Sequence, residues 1–204
     1  AESAAEVGLS GNARFNNFRE YYGHSIGAAW GDLDNDADFD LVVANLAHPR
    51  FFDFSDKSQV LLNDGTGHFE DIQGDFEYPR GAAGLRFQET HSVPILGDFD
   101  QDGVLDLSIS AVYDGRPTDF YWGNGDGTFR LDAWRAGLDV ENGWGMAVAD
   151  VDLDGDLDIA AKGAVFANQV ANQGHFVQLK LVGNDKCNRA AIGATARVIA
   201  GDQV

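Results

Sequence analysis

A single cysteine, Cys187, in 204 residues leaves no partner for an intramolecular disulfide, and its reading is that of a small half-buried residue. Basic residues are scarce too. Only 14 Lys and Arg stand against 33 Asp and Glu, a formal net charge of -19. Affinity for nucleic acid and for anionic membrane surfaces rests on clustered Lys and Arg, so both are excluded as expected partners. No run is long and apolar enough to span a bilayer as a helix. The HExxH, phosphate-loop and CxxC patterns are all missing. An initiating Met and a signal peptide are also missing, which fits a mature or cleaved product. What the chain does have is 44% apolar residues and 25 glycines, a foldable and turn-rich composition.

Fourteen of the acidic residues fall in three short loops written on one pattern. They are Asp32, Asp34, Asp36, Asp38 and Asp40; Asp98, Asp100, Asp102 and Asp106; and Asp150, Asp152, Asp154, Asp156 and Asp158. Carboxylates at alternate positions repel one another, and such a run persists most easily where a hard divalent cation collects the oxygens. The expectation is three calcium ions, one per loop. Positions one, three, five and nine supply carboxylates, and position seven (Asp38, Val104, Asp156) supplies its carbonyl. Gly103 and Gly155 at position six let the backbone turn around the ion. The first loop has Ala37 there, which tolerates positive φ poorly and marks that site as the weakest.

An EF-hand begins the same way but needs a bidentate Glu at position twelve and a following helix. Here position twelve is Val43, Ile109 or Ala161. Each loop runs into a short apolar segment (41–44, 105–112, 157–161) and follows another (26–31, 93–97, 145–149), so it joins two strands. Upstream lie Gly8-Leu9, Gly84-Leu85 and Gly137-Leu138. Downstream, strands 60–62 and 120–122 lead to the hairpin signals Asn63-Asp64-Gly65-Thr66-Gly67-His68-Phe69 and Asn124-Gly125-Asp126-Gly127-Thr128-Phe129. The pattern predicts an all-β chain of about three four-stranded antiparallel units, spanning about 10–73, 84–133 and 137–172. A four-stranded unit repeating every fifty to seventy residues or so is a propeller blade.

These units resemble FG-GAP or VCBS repeats, the calcium-loop blades of integrin-type β-propellers. The resemblance covers roughly Gly8 to Asn168, and the blades are assigned to 1–172. After it, His175-Phe176-Val177-Gln178-Leu179-Lys180-Leu181-Val182-Gly183, Asn188-Arg189, Ala191-Ile192-Gly193 and an expected strand at 195–200 resemble the start of an ASPIC/UnbV domain, as in the cartilage acidic protein family and its bacterial relatives. That segment is 173–204, with Cys187 where a small polar residue is usual.

The resemblance implies a secreted, periplasmic or cell-surface protein whose calcium is structural. Its role would be binding or scaffolding, with a protein or glycan ligand. The alternative is a carbohydrate-active propeller, a lectin or a lyase or dehydratase whose catalytic site lies on other blades. Propellers close with roughly four to eight blades, so three imply neighbouring blades from the same precursor or a second subunit. His24 and His91 each precede Ser ahead of a calcium-loop strand; packing or a hairpin hydrogen bond is the expectation for both. Trp30, Trp122, Trp134 and Trp144 are expected between blades, and 47–57 and 75–89 are the expected contact segments.

Overall fold

The structure, a computed structural model, describes residues 4–10, 14–16, 19–21, 24–46, 57–74, 81–133, 135–169, 177, 179–184, 188–192, 194, 196 and 198. Two units make up the chain, Ala1–Ala171 and Asn172–Val204. Among the described residues there is no helix, and none long and apolar enough to cross a membrane.

Strands β1 (Arg14–Asn16) and β2 (Arg19–Tyr21) form a short antiparallel pair. The first main sheet is β3 (His24–Gly31), β4 (Asp40–Leu46), β5 (Gln59–Asn63) and β6 (Phe69–Asp71), paired in chain order. The second repeats it with β7 (His91–Gly97), β8 (Asp106–Ala111), β9 (Asp119–Gly123) and β10 (Phe129–Leu131). In the third, β11 (Met146–Ala149), β12 (Asp158–Ala161) and β13 (Ala164–Phe166) are the described strands, three where the sequence pattern predicts four.

The pairing is antiparallel throughout, and its register makes the three sheets superposable in sequence. Leu41 pairs with Leu61, Leu107 with Tyr121 and Ile159 with Phe166. Because side chains alternate across a pleated strand, each sheet offers one apolar set to the sheet before it and another to the sheet after. Leu107, Ile109, Tyr121 and Phe129 of the second sheet bury themselves with Val42, Ala44, Val60 and Leu33 of the first. In the same way Ile159 and Ala161 of the third meet Ile95, Phe99 and Phe120 of the second. On the other side of the first sheet, Leu41, Leu61 and Phe69 are also buried, packed with Leu9 and Val43.

The Gly-Leu pairs close the outer strands. The Val7 carbonyl accepts the Phe69 N–H at 2.8 Å, and the Ala83 carbonyl accepts the Phe129 N–H at 2.8 Å. Gly8 and Gly84 follow, at φ +79° and +91°, and a Cβ on either would lie 1.9 Å from the Phe69 or Phe129 carbonyl oxygen. Only glycine fits so close an approach. Gly137 holds the same conformation, φ +70°, with nothing within 4 Å of where its Cβ would be.

In the second unit the described residues turn at Asn188, whose Oδ1 accepts the Ile192 N–H at 2.7 Å. Most of the strand expected at 195–200 lies outside the described residues, as do Cys187, His48, Trp134, His175 and, among the expected contact segments, 47–56 and 75–80.

Candidate metal loops

Each acidic loop joins the first and second strands of its sheet, and all three adopt one hydrogen-bonded form. The position-one carboxylate accepts the N–H groups of positions five and six. Asp32 takes Asp36 and Ala37 at 3.1 and 3.0 Å, Asp98 takes Asp102 and Gly103 at 3.0 and 3.1 Å, and Asp150 takes Asp154 and Gly155 at 3.2 Å each. Position five then accepts the N–H of position seven: Asp38 to Asp36 at 3.0 Å, Val104 to Asp102 and Asp156 to Asp154 at 2.9 Å. Position six is left-handed in every loop, at φ +77° for Ala37, +88° for Gly103 and +99° for Gly155. Position four is left-handed as well, at +62° for Asn35 and Gln101 and +64° for Leu153, a feature the sequence reading missed.

Position nine does a second job. Asp40, Asp106 and Asp158 are 0%, 2% and 2% exposed. One oxygen accepts the position-two N–H, from Leu33 at 2.7 Å, Phe99 at 2.9 Å and Val151 at 3.0 Å. The other accepts an N–H from the far end of the third strand, Asn63 at 2.8 Å, Gly123 at 2.9 Å and Asn168 at 2.8 Å. This carboxylate therefore staples the loop to the sheet.

Carboxylate oxygens of Asp98, Asp100 and Asp106 lie within 4.8 Å of one another, as do those of Asp150, Asp152 and Asp158. In the first loop the converging set is Asp32, Asp34 and Asp36, without Asp40. Asp102 and Asp154 stand outside their sets, as do the side chains of Asp38 and Asp156. Asp156 instead accepts from the Gln101 amide of the preceding loop, linking second and third sheets. The Asp38 Oδ1 is buried without a hydrogen bond.

The chemistry of the set suits a hard cation. Burial, and after it the charge of neighbouring carboxylates, raises the pKa of Asp34, Asp100 and Asp152 above the ordinary value. Asp106 is pushed up to about 7, by burial first, although two N–H groups pull the other way. Among the described residues the ion pairs lie away from the loops, leaving this repulsion without a protein cation. Oxygen-only ligands at close range are what calcium takes.

A second polar cluster was not foreseen from the sequence. The carboxylate of Asp119, fully buried at the start of β9, accepts from Arg86 through Nε at 2.7 Å and also through Nη2. It further accepts from the Tyr121 hydroxyl at 3.0 Å and faces His91 Nε2 at 3.1 Å. His91 Nδ1 lies 2.8 Å from Ser58 Oγ, on the neighbouring sheet. Ser, His and Asp thus stand in relay order. Yet Ser58 is only 6% exposed and its oxygen takes the Asn45 N–H at 3.2 Å, so the chain of bonds joins two sheets. Burial raises the Asp119 pKa, and the His91 and Arg86 bonds outweigh it and hold it below the usual range. The only sequence signal was a break in the repeat, since Gln59 and Ala164 occupy the same place.

The other expected residues divide. His91 is buried in this cluster, whereas His24 and His68 are exposed. Trp122 packs between the second and third sheets, edge-on to Phe120 at 4.9 Å. Trp30 and Trp144 are 55% and 61% exposed.

Among sequence families, the FG-GAP-like repeat matches residues 98–161, from the first Asp of the second loop to the end of β12. No curated protein matches the chain. An FG-GAP-like repeat in an all-β chain of stacked antiparallel sheets supports a β-propeller-type architecture.

Proposed function

We propose that this chain is a calcium-stabilised extracellular module that serves in binding or scaffolding as part of a larger β-propeller. The observation that carries the reading is the threefold identity of the loops. Three separate sequences fold the same N–H groups onto the same carboxylates and leave three oxygens of each loop convergent. Calcium bound there would neutralise carboxylates that otherwise repel, and in the second and third loops, where position nine joins the converging set, it would also fix the end of the third strand.

At an affinity near ~10⁻⁴ M and about millimolar calcium, each site adds roughly 1.4 kcal/mol to folding. Three such sites are comparable with much of a domain's net stability of about 5 to 15 kcal/mol. The partners belonging to this reading are further blades, from the same precursor or another subunit, and a protein or glycan ligand. Atomic spectroscopy of protein freed of chelator is the direct test. Three calcium ions per chain are expected, and fewer than two would remove the basis of the reading.

A further inference from the structure

The two contacts between neighbouring sheets follow one rule at the rim that carries the acidic loops. The first strand of a sheet ends in glycine just ahead of its loop, and the next repeat presses apolar side chains onto that glycine. Leu96 and Leu105 of the second repeat close on Gly31 of the first so tightly that a Cβ there would lie 2.8 and 2.6 Å from their Cδ1 atoms. Leu157 of the third repeat closes on Gly97 of the second in the same way, at 2.9 Å. A polar link accompanies the second of these contacts. The Gln101 amide, position four of its loop, donates to the Asp156 carboxylate, position seven of the next loop. Position seven of the second loop is Val104, which asks for no donor.

The first repeat carries the pressing half of this contact, and carries it exposed. Gly31 pairs with Asp40 as Gly97 pairs with Asp106, so Trp30 and Phe39 hold the places of Leu96 and Leu105. They are 55% and 67% exposed. Asp38 holds the place of Asp156, and its Oδ1 is buried with no hydrogen bond. A buried acceptor without a donor is costly, and here its counterpart two repeats on shows which donor fits.

We infer that this rim of the first sheet is the docking surface for a partner blade whose loop opens Gly-Asp-x-Asp-Gln, and that a second copy of this chain does not fit it. The glycine leaves room for Trp30 and Phe39, both larger than the leucines in the same places. The glutamine supplies Asp38 with its donor. Within the chain Gly97-Asp98-Phe99-Asp100-Gln101 has this form, and the third repeat already covers it. The exposed rim of the third sheet reads Ala149-Asp150-Val151-Asp152-Leu153 instead. Ala149 carries the Cβ that both inner contacts exclude, and Leu153, 70% exposed, has no side-chain hydrogen to donate. A second copy would set Phe39 against a methyl group and leave the Asp38 carboxylate buried beside a leucine, so the mismatch acts as a barrier to self-association. The inference rests on the blade reading of the proposed function and adds to it which kind of blade the first sheet accepts.

The probe is the full, calcium-loaded chain with Ala149→Gly and Leu153→Gln made together, which gives the third sheet the rim that the second sheet already has. Sedimentation between about 1 and 100 μM protein should show the wild type unassociated and the double variant in head-to-tail dimers or longer chains. Adding Asp38→Val, the residue that the second loop has at this position, should weaken that association at least about tenfold, the effect of losing a charge-assisted hydrogen bond. A wild type that associates as strongly as the double variant would overturn the inference, and so would a double variant that stays monomeric with its calcium in place. Association indifferent to Asp38→Val would overturn it as well. If the double variant does not fold, Leu153→Gln alone decides, with weaker association expected and a monomer counting against the inference. The calcium content and melting temperature of each protein, read separately, show whether a failure belongs to the docking surface or to the blade and calcium reading.

Discussion

Asp119 and Ala37 show how far a single residue is constrained by its surroundings. Asp119 is fully buried and holds Arg86, His91 and Tyr121 around one carboxylate. Removing it strands a guanidinium and a phenol, and Asp119→Ala should cost about 3 to 5 kcal/mol in urea unfolding, the range for breaking a buried pair. Arg130→Ala breaks the exposed pair with Asp132, where Arg130 is 57% accessible, and should cost under about 1 kcal/mol. Equal losses would show that burial is not what sets the difference. Ala37 sits at φ +77°, where its Cβ is strained. Ala37→Gly should therefore stabilise the protein by roughly 0.5 to 1 kcal/mol and tighten calcium in the first loop, read by denaturant melts with and without the ion. A loss of stability would mean that the strain is relieved elsewhere.

At the scale of the element, the loops were legible because their chemistry is periodic. Aspartates at every second position, a glycine at the sixth and an apolar run after them leave few alternatives to an acidic turn between strands. Strands β3 to β12 followed, since each adjoins such a turn or an Asn/Asp/Gly hairpin signal, whereas β1, β2 and β13 carry neither. The position-four conformation was not legible. Asn35 advertises a left-handed turn, but Gln101 and Leu153 do not, and they are held there by bonds the rest of the loop makes. The split role of position nine was hidden for a related reason. Nothing local shows that Asp40 must reach Asn63, 23 residues on, so its place outside the converging set of the first loop had no sequence signal. The Asp119 cluster depends on residues from two sheets, and contacts of that kind have no period to read.

For the whole molecule, the excess of acid is a conditional instability. Several loop carboxylates have folded pKa values above the ordinary one in the absence of a cation, and Asp106 stands at about 7. A group raised in this way favours the folded state while protonated, so its contribution is present at low pH and lost as pH rises through the folded value. In chelator the melting temperature should therefore fall between about pH 5 and pH 7.5. With calcium bound it should recover at neutral pH, and magnesium, which demands a smaller octahedral shell, should restore it poorly. A chelated protein that melts at the same temperature at both pH values, or as high as the calcium form, would contradict this account. The Gly-Leu segments carry a different kind of consequence. Val7 bonds to Phe69 and Ala83 to Phe129, so the residues that open each blade also seal its last strand. A chain emerging from the ribosome must hold these opening segments unpaired until 62 further residues after Val7, and 46 after Ala83, have been made. Large loop closures of this sort are slow, and folding should proceed in steps, one blade per completed circuit, with each unsealed edge an opportunity for the wrong strand to enter first.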